Sequence, residues 1–388
     1  MNSVLKQLSE EHQSLAATVR DFANEVVAPV AAHHDHEQSF PYDVIRQMAE
    51  MGMFALPFPE ELGGMGGDYL SLCLALEELA RVDQSVAITL EAAVGLGSMP
   101  IFRAGSQEQK DKYLRPLISG ESLGAFGLTE PDAGSDASRL RTSARLEGDE
   151  WVINGAKTFI TNSGTSMTSL VTVACVTGER PNGSKEISTI IVPSGTPGFI
   201  VDPPYSKVGW HASDTHPLTF NDVRVPASNL LGERGRGYAN FLQTLDEGRV
   251  AIAALAVGAA QGCLDESVRY AKERKAFGKS IGEHQSIAFK IAEMEARTHT
   301  ARLAYYHAAF LIAAGKDFKT EASIAKLVAS EAAMDNARAA TQIFGGYGFM
   351  NEFPVARHYR DSKILEIGEG TSEVQKILIA RSLGLNAE

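Results

Sequence analysis

Apolar positions recur along this chain in two periods, and the period changes twice. In the first stretch Leu15, Val19, Phe22 and Val26 fall three or four residues apart, and "YLSLCLALEELARVD" (69–83) repeats that spacing, so both predict amphipathic helices. Between about 123 and 228 the pattern changes to short β-branched runs cut by Gly, Pro, Asn and Asp: "EWVINGAKTFITN", "SLVTVACVTG", "STIIVPSG" and "LTFNDVRVP". These read as strands joined by turns. After "NLLGERGRGY" the helical spacing returns in three long runs rich in Ala, Leu and Glu: "RVAIAALAVGAAQGCLDESVRYAKER", "HQSIAFKIAEMEARTHTARLAYYHAAFLIAAG" and "EASIAKLVASEAAMDNARAATQIFGG". Strands that cluster instead of alternating with helices argue against a parallel doubly wound sheet. The prediction is an α+β, mostly α chain, with a small antiparallel sheet or barrel between two helical bundles and boundaries at 1–122, 123–230 and 231–388.

Composition narrows the class of function. Acidic residues number 48 against 36 basic, a net charge of −12 that repels phosphate backbones and anionic membrane surfaces, so neither nucleic acid nor membrane is an expected partner. Cys73, Cys175 and Cys263 lie far apart among small or apolar neighbours, as free buried thiols in a reducing compartment do. "MNSVLKQLSEEHQ" lacks the apolar centre of a signal peptide, and no run is expected to reach the roughly 20 apolar residues of a membrane helix, so a cytoplasmic location is expected. His33, His34 and His36 stand beside Asp35 and Glu37, but adjacent positions at a helix end point in different directions. A solvated terminus and no metal site are expected there. The glycine-rich "ELGGMGGDYL" and "IFGGYGF" match neither a dinucleotide fingerprint nor a phosphate loop.

Two stretches carry more chemistry. "FGLTEPDAGSD" (126–136) packs turn formers and hydroxyls at the head of the strand block, where exposed amides with Thr129 and Ser135 could satisfy the carbonyls and ring nitrogens of a flat polar cofactor. "KTFITNSG" would add a second wall. "KILEIGEGTSEVQ" holds one acid, Glu369, between Gly368 and Gly370 just before a helix. Alone, it is an acid favouring a helix N-terminus.

In combination and in order, "LTEPDAGSD", "INGAKTFITN", "ASDTHPLTFNDVRVP", "RVAIAALAVGAAQ", "ERKAFGKSIGEHQ", "QIFGGYGF" and "EGTSEVQ" resemble the acyl-CoA dehydrogenases over nearly the whole chain. The resemblance implies an N-terminal helical domain, a middle antiparallel β-barrel domain and a C-terminal four-helix-bundle domain. It also implies FAD, an acyl-CoA substrate, electron-transferring flavoprotein as acceptor, and a homo-oligomer, by family habit a tetramer. The reaction it implies is α,β-dehydrogenation of the thioester to a trans-2-enoyl-CoA: a carboxylate removes an α proton while the β hydrogen leaves as hydride to flavin N5.

Glu369 matches that carboxylate. A thioester α proton is barely acidic, so its base must sit dry and close, and glycines on either side suit a close backbone approach. By resemblance the Glu369 N–H and a ribityl hydroxyl of FAD donate to the thioester carbonyl. Phe126, Leu128, Thr129, Gly134 and Ser135 match one flavin wall and Phe159, Ile160 and Thr161 the other, while Thr371 and Glu373 lie against the cofactor. Arg274, Phe277 and Gln285 match one part of the adenine-nucleotide site; Gln342, Gly345 and Gly346 match a part supplied by a neighbouring subunit. Ser135, Asp246, Arg249, Gly368 and Gly370 are the expected substrate contacts.

Isovaleryl and long-chain relatives carry the base on the helix of "LDEGRVAIA", immediately before its arginine, and that position is Gly248 here. Glu247, one residue away and so about 100° round a helix, is expected to point elsewhere. Ala87 stands where glutaryl-type members place an arginine, which disfavours a dicarboxylyl substrate, and Gly368 replaces a tyrosine common in short- and medium-chain types, which makes room for short, medium or branched acyl groups. An acyl-CoA oxidase or flavin monooxygenase, and a non-catalytic DNA-associated protein, are the alternatives on this fold. The retained base opposes the first and the negative charge the second.

Overall fold

The computed structural model describes residues 5–386; Met1 to Val4, the first residues of "MNSVLKQLSEEHQ", lie outside it. The first block forms α1 (Glu10–Phe22), α2 (Ala28–Glu37), α3 (Tyr42–Glu50), α4 (Tyr69–Ala80), α5 (Gln84–Glu91), α6 (Met99–Ala104), α7 (Gln107–Gln109) and α8 (Arg115–Ile118). Capping sets the starts. Ser9, Asp68 and Asp83 each precede a helix and accept from a backbone N–H of its first turn. Between α5 and α6 the chain continues as a π-helical segment, Ala92–Ser98. Every residue of α4 is buried, as expected of a helix that is apolar nearly all round.

The middle block contributes β1 (Leu123–Gly127), β2 (Ser143–Glu147), β3 (Glu150–Thr161), β4 (Thr168–Glu179), β5 (Lys185–Pro193), β6 (Phe199–Val201), β7 (Thr215–Pro226) and β8 (Leu230–Leu231). They form one sheet in the order β6-β7-β3-β2-β4-β5-β8, with β1 beside β4. Pairing is antiparallel except for β1 against β4 and a single β2–β4 pair, Ser143 with Val176. Its core alternates inward along the strands through Trp151, Ile153, Val171, Val173, Leu218 and Phe220.

The last block forms α9 (Gly237–Glu273), a short hairpin of β9 (Lys275–Ala276) and β10 (Lys279–Ser280), α10 (Gln285–Ala313), α11 (Lys319–Phe344), α12 (Pro354–Ser362) and α13 (Ser372–Ser382). The two helical blocks share one apolar core, which runs from Ala16 through α4, α9, α10 and α11 to Leu365. Alanine and glycine on α9 allow this. A Cβ at Gly258 or Gly262 would strike the carbonyls of Glu77 or Arg81 on and just after α4, so the two helices pack with their backbones in contact.

One expectation needs correction. Two helical stretches, residues 84–104 and α9, are long and apolar enough to cross a membrane by length and composition. Respectively 89% and 83% of their apolar windows are buried inside the protein, where they face other helices. The same apolar composition that makes a lipid-facing surface makes the centre of a helical core.

Candidate active site

Glu369 lies between a 3-10 turn (Lys363–Glu366) and α13, and the chain there is held in an uncommon shape. Its φ is +51° and that of Gly370 is +91°. The left-handed region costs a non-glycine residue about 1–3 kcal/mol, so the surroundings must fix it. They do so through Gly370: its carbonyl accepts from Lys326 Nζ at 2.8 Å and from Gln375 Nε2 at 2.9 Å, while Thr371 caps α13 by accepting from Val374 N. A Cβ on Gly370 would stand 2.6 Å from Gln375 Nε2. Of the two flanking glycines only Gly370 takes a positive φ, and the strain falls on Glu369. Gly368 supplies space, since a Cβ there meets only Ile364, at 3.5 Å or more.

Both Glu369 carboxylate oxygens are buried without a bonded donor. Gly248 on α9 faces them: a Cβ at that position would overlap Glu369 Oε2 and stand 3.0 Å from its Cδ. Position 248 thus looks directly at the Glu369 carboxylate. Glu247 turns away to pair with Arg103, and its carbonyl accepts from Tyr69 Oη at 2.8 Å. Asp246 and Arg249 pair with each other one helical turn apart, both buried, and Arg249 Nε has no partner. Burial pushes the Glu369 carboxyl up to about 7, against the adjoining Glu91 carboxyl group and the charges of Lys326 and Arg249, which favour the ionised form. Burial in turn pushes Lys326 down to about 8.

The loop after β1 is built around a buried carboxylate. Glu130 accepts from Arg141 N at 2.6 Å, Thr142 N at 2.9 Å and Lys157 Nζ at 2.8 Å, and Lys157 Nζ also donates to the Leu128 carbonyl. Thr158 N donates to the Thr129 carbonyl at 2.9 Å, which joins this loop to β3. Phe126, Leu128 and Thr129 are thereby brought beside Phe159, Ile160 and Thr161, with Gly134 and Ser135 exposed on the loop. Phe159 has a φ of +61° and is 65% exposed, an aromatic side chain held outward at some conformational cost. Asn162 Nδ2 donates to the Thr89 carbonyl, tying this wall to α5, while Asn162 Oδ1, Ser372 Oγ and Gln375 Oε1 stay buried and unpartnered. An exposed aromatic ring, hydroxyls and orphaned polar atoms fit a flat, polar cofactor such as a flavin.

The remaining nucleotide candidates lie elsewhere. Arg274 caps the C-terminus of α9 with its guanidinium 5.8 Å from the Tyr347 ring, so the Arg274, Phe277 and Gln285 group and the Gln342, Gly345 and Gly346 group share one surface. Phe277 is 96% exposed. From Arg249 to Arg274 the helix rises about 37 Å, so this face is remote from Glu369 in the same chain.

Sequence inspection missed Glu91, Lys326, Arg103 and the Glu130–Lys157 pair. The signal for Glu91 was an acid inside the apolar run "AITLEAAVGL", and for Lys326 a base among the small residues of "SIAKLVAS". Cys73, Cys175 and Cys263 are free and buried, and the described residues hold no group of three or more potential metal ligands.

Three family models match in succession: the acyl-CoA dehydrogenase N-terminal domain over residues 9–121, the middle domain over 125–223 and the C-terminal domain over 235–384. A probable acyl-CoA dehydrogenase, YngJ of Bacillus subtilis, is 48% identical, with 97% of this chain and 99% of that protein aligned. A short-chain specific acyl-CoA dehydrogenase of Clostridium acetobutylicum is 43% identical over 96% of this chain and 98% of its own. The butyryl-CoA dehydrogenase structure from Megasphaera elsdenii superposes with a TM-score of 0.94 at 43% identity, covering 97% of this chain and 98% of that one. With helices, sheet and motifs in the same order from end to end, the chain belongs to the acyl-CoA dehydrogenase family.

Proposed function

We propose that this protein dehydrogenates the α,β bond of a short or branched acyl-CoA, with Glu369 as the base that removes the α proton. The observation that carries this is the Glu369 carboxylate itself: dry, unpaired with any basic side chain, and raised by burial to about 7, where an ionised base still has high proton affinity. The strained backbone at 369 fixes its direction, and in our reading the Glu369 N–H would donate to the thioester oxygen as negative charge develops there. Arg249, with a free Nε beside the base, and Ser135 on the exposed loop serve the acyl-CoA.

The walls at 126–135 and 159–161, with Thr371 and Glu373, would hold FAD, and the chemistry that FAD supplies when bound is acceptance of the β hydrogen as hydride. The remote face around Arg274 and Gln342 then takes the nucleotide end of the cofactor seated in a second copy of the chain, which makes the protein a homo-oligomer, in our reading a tetramer. Electron-transferring flavoprotein is the acceptor we propose; one structure that superposes with a TM-score of 0.94 was described as the electron transferring flavoprotein of Acidaminococcus fermentans. Relatives specific for short chains favour a short acyl group, and Gly368 leaves room for branching.

The test is anaerobic stopped-flow bleaching of the flavin by butyryl-CoA and 2-methylbutyryl-CoA. Glu369→Gln should still hold FAD and substrate yet reduce its flavin about 10²–10⁴-fold more slowly, the usual cost of losing a general base. Glu247→Gln should cost far less. Parental bleaching in Glu369→Gln would remove Glu369 from the role.

A further inference from the structure

Glu91 ends α5 in an otherwise apolar stretch, and its side chain is completely buried with neither oxygen meeting a donor. Its carboxyl group lies within hydrogen-bonding reach of that of Glu369. Small residues make the space on both sides: a Cβ at Gly95 would lie 2.8 Å from Glu91 Oε1, and one at Gly248 would overlap Glu369 Oε2. The other titratable or charged groups facing this pair are Tyr69 and Cys73 on α4, Arg249 on α9 and Lys326 on α11. Tyr69 Oη is committed to the Glu247 carbonyl, Lys326 Nζ to the Gly370 carbonyl and an Arg249 N–H to Asp246.

Two buried carboxylates in contact cannot both be ionised. The nearby cations bear on Glu369, so the negative charge rests there and the proton on Glu91, whose carboxyl is pushed well up by burial and by the Glu369 charge. A protonated carboxyl has one O–H to donate.

We propose that Glu91 is a positioning residue for the base: its protonated carboxyl group donates a hydrogen bond to the Glu369 carboxylate and holds it ionised and oriented in the dry pocket. This rests on Glu369 being the proton acceptor. Glu91 itself neither gains nor loses a proton in the step. The proton leaves the substrate Cα for Glu369, the C–H electron pair stays with the substrate as enolate, and the carboxyl pair carries one proton before the step and two after it.

The experiment is single-turnover flavin bleaching by butyryl-CoA across a pH series, with the FAD-loaded parent and the variants Glu91→Gln, Glu91→Leu and Glu91→Ser. Reduction requires ionised Glu369, so its rate falls on the acid side. Without the donor, Leu and Ser should move that acid limb to higher pH by about one unit or more, roughly a tenfold slower reduction on the limb, whereas Gln, whose amide N–H replaces the O–H, should leave it within a few tenths of a unit. Ser, the smaller change, decides the matter if Leu does not fold. An independent readout is the infrared C=O stretch of a protonated carboxyl, present in the parent at pH 8 and missing from Glu91→Gln. The proposal is overturned if the limb stays in place or moves to lower pH in Leu and Ser, if Gln behaves as they do, or if the parent and Glu91→Gln spectra agree. Failure of the parent to bleach with any acyl-CoA would sink the dehydrogenase reading as well, and so is distinguishable from these outcomes.

Discussion

Gly248→Ala adds one methyl group where the structure has no room for it. The new carbon would overlap Glu369 Oε2 and stand 3.0 Å from Cδ, against an optimal carbon–carbon separation of about 3.5–4.0 Å. Neither side yields easily, because α9 is buried along this stretch and Glu369 is fixed by the Gly370 carbonyl bonds. The carboxyl group must therefore move by roughly 0.5–1 Å or more, a misplacement that can cost about 10²-fold in rate, or about 2.7 kcal/mol of barrier. Overpacking should also lower stability by about 1–3 kcal/mol. Anaerobic stopped-flow bleaching with butyryl-CoA reads the first effect and thermal melting of the FAD-loaded protein the second. Flavin bound at parental stoichiometry but bleached about a hundred times more slowly is the expected result. If Gly248→Ala bleaches at the parental rate, the carboxylate does not occupy the position described and the argument from steric exclusion fails.

Gly368→Tyr should fold, since the first added carbon makes only ordinary contacts, and should slow 2- or 3-methyl-branched acyl-CoAs more than straight ones by about 1–3 kcal/mol; equal losses on both would show that the space near Gly368 is not acyl space. Glu369→Gln should melt above the parent at pH 8. The folded carboxyl titrates near 7 against an ordinary 4.5, so the parent loses stability, on the order of 3 kcal/mol, as pH rises between those values. The advantage of the variant should vanish below about pH 4.5, and an advantage independent of pH would contradict a buried charge at 369.

Period alone located the helices and strands here because each block keeps one spacing for long enough to be read. It could not say that the first and last blocks share a core, since an apolar stripe records a face without naming what covers it. The parallel seating of β1 beside β4 was hidden for a related reason: β1 pairs with a strand some forty residues on, across the whole loop that Glu130 organises. Glu369 was legible because its glycines and the helix start are local. Glu91 was visible as an acid in an apolar helix, but its meaning depends on meeting Glu369, which comes from the other end of the chain. Lys326 was overlooked similarly, as one lysine among many until the fold buried it under Gly370.

The contact between Gly248 and Glu369 also constrains descent. A carboxylate side chain at 248 and the one at 369 would claim the same volume, so this backbone has room for an acid at only one of the two positions. A smaller residue at 369 would open the volume that an acid at 248 needs, so the order in which two such substitutions are made decides whether the first one is tolerated.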